Sequence, residues 1–446
     1  MTIRTRVLAL ACCVTAGAAL ASAAAPPSID AAFEKFWSAR NPQDAGKAAR
    51  EIVTAGVTFD EALKRLKAGR VYSPDVKRGM IRLQRRTAAG EFFYDLYVPQ
   101  TYDPARKYQV RFQLHGGVMM RETGEPRSSS GRGGRGGPLE GAEQIYVLPT
   151  SWRDAPWWGQ AQIENLDAIL DSVKRTYNVD ENRVALAGVS DGATGLYYMA
   201  MRDTTPFASF LPLNGFLLVL ANDRLDVDRE LFPSNLLNKP LFIVNGGQDP
   251  LYPMRAVEPY IEHLKASGVV VDYRPQPDAA HNTSWWPQVK ERFEEFVRTH
   301  PRDPLPPTLT WETGDRDTPS RAHWLIVDKI STAAPGGSLS RPDLNVFSGP
   351  GFNHGRDLFA RSRPFGRVEA TRRGNDVQLA TRGVSELTLL LSPDAFDLSK
   401  PIVVTANGRV VSNARVEPSV ATLMKWAARD NDRTMLFAGE LHVTLR

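Results

Sequence analysis

Cysteine is almost absent from this chain: its 446 residues include two, Cys12 and Cys13, both close to the amino terminus. If that terminus is removed on export, the mature protein has neither a disulfide nor a thiol nucleophile. Long apolar runs are also missing. The stretch VLALACCVTAGAAL, from Val7, is shorter than the roughly 20 residues that a membrane span needs. Nor is one sign of charge in large excess. Lys and Arg number 55 against 50 Asp and Glu, a formal +5 that falls to +3 once Arg4 and Arg6 are set aside. So slight a surplus argues against a nucleic-acid partner.

What is present reads as an exported globular protein. Arg4 and Arg6 precede the apolar stretch, and Ala21-Ser22-Ala23 supplies small residues for cleavage, so residues 1–23 are expected to be a signal peptide. The mature protein is then periplasmic or extracellular, with no stable membrane insertion. Apolar residues make up 42% and charged residues 24%, close to the globular average, and the length implies two or three domains. Residues 24–70 read as helical, with Phe33, Phe36 and Trp37 on one face and Thr58 to Glu61 as a capping box. From 71 to 302, short apolar strands such as YQVRFQL, IYVLPT and LFIVNGG alternate with amphipathic helices. That alternation predicts a mostly parallel sheet covered on both faces. From 305 to 446 the pattern is mostly β, with one helix near 418–429 and a hairpin signal at Asn407-Gly408. The Arg-Gly stretch at 127–138 reads as a surface loop.

The chemistry centres on RVALAGVSDGATG at 183–195, where a buried strand stops at a serine flanked by glycines. Gly188 and Gly192 permit a tight strand-to-helix turn that lifts the Ser190 hydroxyl above the strand end. A serine needs a base, and seven histidines make elimination practical. His263, His300, His323 and His442 fall in predicted helices or strands, His354 in a glycine-rich part of the C-terminal region, and His115 at the start of a glycine pair. His281, in a loop between a strand and a helix, is left as the base. Asp249 follows the strand LFIVNGG and is expected to orient the imidazole; Asp272 and Asp278 compete but read as structural. In a parallel sheet the strand ends share one edge, so Ser190, Asp249 and His281 converge. Backbone amides of Gly117, or its neighbour Val118, and of Asp191 are expected to stabilise an oxyanion. One tryptophan from each of the pairs Trp157-Trp158 and Trp285-Trp286 is a candidate pocket lining, with Trp158 and Trp285 preferred.

These motifs carry a resemblance. Over residues 75–302 the chain resembles the α/β-hydrolase superfamily, through HGG at 115–117, GVSDG at 188–192, GGQDP at 246–250 and AAHN at 279–282. Within it, the chain is similar to bacterial secreted esterases and to the catalytic domain of prolyl-oligopeptidase-like serine peptidases. The resemblance implies a serine nucleophile, an acyl-enzyme, and no metal or other cofactor. Asp191 departs from the small or aromatic residue that many relatives carry after the nucleophile, and places a carboxylate near the oxyanion site. A small-molecule or polymer-linked ester is the expected substrate, because only a short segment precedes the hydrolase-like region. A peptidase, and an inactive scaffold that binds a partner, are the alternatives.

Overall fold

A computed structural model of the chain describes residues 28–87, 89–125, 143–316, 318–332, 339, 344 and 365–445. The expected signal peptide at 1–23, the Arg-Gly stretch at 127–138 and His354 lie outside these residues. Among the described residues, no helix is long and apolar enough to cross a membrane.

Three helices open the fold: α1 (Ile29–Ser38), α2 (Pro42–Thr54) and α3 (Phe59–Ala68). Ser28, Asn41 and Thr58 cap their N-termini, each side chain accepting a backbone N–H of the first turn. At Thr58 only half of the expected box forms: Thr58 accepts from the Glu61 N–H, while the Glu61 carboxylate is bound by Arg65 Nε.

The central body follows as β1 (Gly79–Thr87), β2 (Gly90–Val98), β3 (Tyr108–Leu114), β4 (Ile145–Pro149), α4 (Gln160–Thr176), β5 (Val179–Val189), α5 (Asp191–Arg202), β6 (Ser209–Leu213), β7 (Leu241–Gly246), α6 (Met254–Ala266), β8 (Val271–Gln276) and α7 (Trp286–Thr299). The eight strands form one sheet in the order β1-β2-β4-β3-β5-β6-β7-β8. β2 runs antiparallel to both of its neighbours, and β3 to β8 pair in parallel. Period-two geometry sorts the apolar strands onto two faces. Val184, Leu186, Leu241 and Ile243 join α4, α5 and α6 in one core, whereas Ala185, Ala187, Phe242 and Val244 pack under α7. The small Ala185 and Ala187 leave room for Trp286 and Phe293 of that helix.

The C-terminal part comprises β9 (Thr308–Thr313), β10 (Ser320–Ala322), β11 (Leu325–Ile330), β12 (Gly366–Arg373), β13 (Asp376–Arg382), β14 (Val384–Leu391), β15 (Ile402–Ala406), β16 (Arg409–Ala414), α8 (Val420–Asp430) and β17 (Gly439–Thr444). A four-stranded sheet, β10-β11-β14-β17, and a five-stranded sheet, β16-β15-β13-β12-β9, contribute to a common apolar core. RAHWLIVDKI, which reads as one strand, instead turns at His323, whose φ is +50°, and pairs β10 with β11. Asn407 and Gly408 both have positive φ, the backbone that a two-residue hairpin with the strand twist requires.

The N-terminal helices do not pack by themselves. Ala45, Ala48, Ala49 and Ile52 share a core with Leu423, Met424 and Ala427 of α8. Polar contacts then fix the C-terminal part to the body at the start of β5. Arg433 binds Glu181 at 2.5 Å, and Arg302 binds Asp432 at 2.7 Å while also donating to Asn182. β5 runs from there to Ser190, about 30 Å away at some 3.3 Å per residue. These contacts of the C-terminal part therefore lie at the sheet edge opposite to the serine.

Candidate active site

Ser190 occupies the turn between β5 and α5 with φ +56° and ψ −120°, a conformation that costs a non-glycine residue on the order of 1–3 kcal/mol. The glycines around it are dictated by contact. A Cβ on Gly192 would be driven into the carbonyl of Leu114, and one on Gly188 into the carbonyl of Gly192. The turn is thus pressed onto the end of β3, and side chains there would push it off.

The three residues expected to converge do so. Ser190 Oγ lies 2.9 Å from His281 Nε2, and His281 Nδ1 lies 2.6 Å from Asp249 Oδ2. Asp249 is nearly fully buried, and its other oxygen accepts the backbone N–H groups of Leu251 (2.8 Å) and Tyr252 (3.0 Å). A carboxylate has only acceptors to offer, so Nδ1 carries the ring proton and Nε2 is the acceptor that faces the hydroxyl. The loops holding acid and base are tied to each other. Gly247 N donates to Gln276 O (2.7 Å) and Gln248 N to Ala279 O (2.9 Å), while Asn214 Nδ2 donates to Asn282 O (2.7 Å). Asp272 is held by Arg274 and Arg292, in line with a structural role.

The segment 115–117 crosses directly beside the nucleophile. A Cβ on Gly116 would sit 2.9 Å from the Ser190 Cβ, so Gly116, which the sequence did not single out from its neighbour, is the glycine that the serine requires. His115 is buried; its Nε2 accepts from the Ser151 N–H and from Arg121, both at 3.1 Å. It braces the loop and stands apart from the Ser190 proton path.

Of the amides named as oxyanion donors, one is corrected. The Val118 N–H donates to Asp191 Oδ2 at 2.7 Å, so it is already engaged. The same bond settles where the Asp191 side chain goes: one of its oxygens turns toward the 115–118 loop and clamps it to the start of α5. The Gly117 and Asp191 amides make no hydrogen bond to another described residue. Asp191 opens α5, where first-turn N–H groups and the helix dipole favour negative charge.

The tryptophans are a second correction. Trp158 is 6% exposed within the core that includes α4 and α5, and Trp285 is 4% exposed within the core under α7. Neither faces open space at Ser190, because each lies next to a helix start that buries it. The exposed apolar side chains near the site are instead Met119, Met120 and Leu251, on the loops that follow Gly117 and Asp249. Tyr252 also escaped the sequence reading, although it lies only three residues beyond Asp249. Its ring centroid is 5.5 Å from that of His281, with the planes at 70°.

No family profile and no curated protein matches the chain. Solved structures do match it, among them three that are each below 20% identical. A thermostable esterase is 19% identical with a TM-score of 0.38, over 50% of this chain and 63% of that one, which is less than two thirds of its length. S-formylglutathione hydrolase from Staphylococcus aureus is 18% identical with a TM-score of 0.35, over 50% of this chain and 98% of that one. A ferulic acid esterase from Anaeromyces mucronatus is 18% identical with a TM-score of 0.36, over 52% and 94%. The strand order with its single reversed strand, and the strand–serine–helix turn at Ser190, are this chain's own features, and by them its central body has the α/β-hydrolase fold.

Proposed function

We propose that the protein is an exported serine hydrolase that cleaves carboxylic esters. The observation that carries this reading is the aligned row Ser190 Oγ, His281 imidazole and Asp249 carboxylate, at 2.9 Å and 2.6 Å. Ser190 Oγ attacks the ester carbonyl and gives its proton to His281 Nε2. The imidazolium so formed is stabilised by Asp249 across Nδ1. The carbonyl oxygen, now negative, meets the amides of Gly117 and Asp191. Collapse expels the alcohol with the proton from His281 and leaves an acyl group on Ser190, which water removes by the same steps in reverse roles.

The preference for esters over peptides is supported by the placement of the additional parts. Among the described residues, the N-terminal helices pack on α8, and the Arg433–Glu181 and Arg302–Asp432 contacts of the C-terminal part join the start of β5, away from Ser190. Contacts placed there leave room for a small ester or one displayed on a polymer.

A fluorophosphonate probe is expected to label the wild type and to leave Ser190→Ala unlabelled. Short p-nitrophenyl esters are expected to turn over faster than proline-containing peptide anilides. Absence of labelling in the wild type, or label persisting in Ser190→Ala, would overturn the hydrolase reading; faster anilide cleavage would overturn the ester preference alone.

A further inference from the structure

The loop at 115–118 brings a run of peptide groups up to the nucleophile, and several of them are anchored. His115 O accepts from Trp157 Nε1 at 2.9 Å. His115 Nε2 accepts the Ser151 N–H, so the ring proton sits on Nδ1 and is donated to Gly116 O at 2.8 Å. The Val118 N–H is held by Asp191 Oδ2 at 2.7 Å. Gly117 stands between these last two anchors, with φ +67° and ψ +32°. In a trans peptide the C=O and N–H point opposite ways, so the bond at Gly116 O turns the Gly117 N–H to the other side.

We propose that Asp191 is a positioning residue, whose carboxylate holds Val118 so that the Gly117 amide and the Asp191 amide meet on one substrate oxygen. This inference rests on the ester-hydrolase reading of the same site. Val118 and Asp191 are 73 residues apart in the chain, and only a fixed spacing lets donors from both segments reach one atom. Trp157 and His115 orient the loop, but neither belongs to the turn that carries Ser190. Asp191 does belong to it. Its side chain grips the peptide that follows Gly117, while its own N–H is the second donor. One residue thus supplies one donor and governs its distance from the other. The negative charge is not what the role needs. A carboxylate near a forming oxyanion repels it, whereas Val118 requires only an acceptor.

The oxygen concerned takes up charge in both halves of the reaction. In acylation Ser190 Oγ bonds to the carbonyl carbon, its proton passes to His281 Nε2, and the carbonyl π pair moves to oxygen. In deacylation water adds to the same carbon, its proton passes to His281, and the π pair moves to oxygen again. A loop released from Asp191 carries the Gly117 donor away in each step, while the uncharged ground state loses little. The cost therefore falls on kcat rather than on KM.

Asp191→Ala keeps the backbone donor and deletes the acceptor. On p-nitrophenyl acetate its kcat is expected to fall about tenfold or more, given that an oxyanion donor lost outright costs about 10²–10³. KM is expected to stay within about twofold. A trifluoromethyl ketone reads the oxyanion directly: Ser190 Oγ adds to its carbonyl, the proton goes to His281, and the oxygen becomes an alkoxide. Its Ki is expected to rise by the same factor as kcat falls. Asp191→Asn keeps an acceptor for Val118 and is expected to stand at least about threefold above Asp191→Ala in both measurements. Asp191→Leu, similar in shape but without an acceptor, replaces Asp191→Ala if that variant does not fold. A wild type that is neither labelled by fluorophosphonate nor active on esters sinks the underlying reading. With an active, labelled wild type, the role of Asp191 alone is overturned if Asp191→Ala loses less than about tenfold in kcat, loses only through KM, leaves the ketone's Ki unmoved, or is no slower than Asp191→Asn.

Discussion

A single carboxylate does two jobs at Asp249. Its Oδ2 fixes the tautomer of His281, and its Oδ1 folds the following backbone by accepting from Leu251 and Tyr252. The two jobs separate in Asp249→Asn. A carboxamide oxygen can still accept from the backbone, so the loop survives. Its NH2 group facing Nδ1 would place the ring proton on Nε2, where it blocks proton transfer from Ser190. The expected result is a fall of about 10⁴ in kcat, the size found for the same change in serine proteases. Melting is expected to be close to wild type. Activity near wild type would show that Asp249 does not set the tautomer. Asp249 was legible because it follows a strand whose end lies on the same edge as Ser190. Tyr252 was not, since an aromatic near a loop aspartate has no spacing that marks it as the ring packed on His281.

At the scale of the element, the turn between β5 and α5 shows how close packing dictates composition. The G-x-S-x-G pattern is weak as a string, yet each glycine has its own steric reason. Gly192→Ala places a methyl against the Leu114 carbonyl, so β3 and α5 must move apart. Overpacking of a tight interior contact costs about 1–3 kcal/mol, and backbone in the way makes the upper end the expectation. Urea unfolding that shows less than about 1 kcal/mol lost would mean that the turn yields more easily than its contacts imply. Helices at the same scale were read well when a stripe of apolar residues recurred, as in α4, where Ile163, Leu166, Ile169, Leu170 and Val173 are all buried. The tryptophans were misread because a paired aromatic before a helix serves equally as lining or as core, and burial decides between them only after folding.

The whole molecule is joined across a polar cleft of about 690 Å³, bordered by Asp167, Asp203, Arg321, Arg429 and Asp430. Asp167 and Asp203 interact there, and burial, reinforced at Asp167 by the neighbouring carboxylate, raises both pKa values. A carboxyl whose folded pKa is raised contributes stability that is complete below its unfolded pKa of about 3.9 and is lost as pH climbs through the folded value. Removing one member relieves the like-charge conflict. Asp203→Asn is thus expected to match the wild type in melting temperature near pH 4 and to exceed it increasingly toward pH 8. A difference that stays constant over that range would rule out the pair as a source of pH-dependent stability. The buried Arg302–Asp432 pair, on the same face, works in the opposite sense. Arg302 overcomes the burial cost and holds Asp432 well below the usual carboxylate range, so its contribution is present above the ordinary pKa and fades in acid.

Alternating apolar strands and amphipathic helices, with glycines around one serine, sufficed to indicate a parallel sheet and the edge on which Ser190, Asp249 and His281 meet, because strand direction alone brings those ends together. Long-range packing decided the rest. The partnership of the N-terminal helices with α8, the engagement of the Val118 amide by Asp191 and the position of the Tyr252 ring against His281 all join segments far apart in the chain. Such contacts arise from shape and burial in three dimensions, and these leave no period in the sequence.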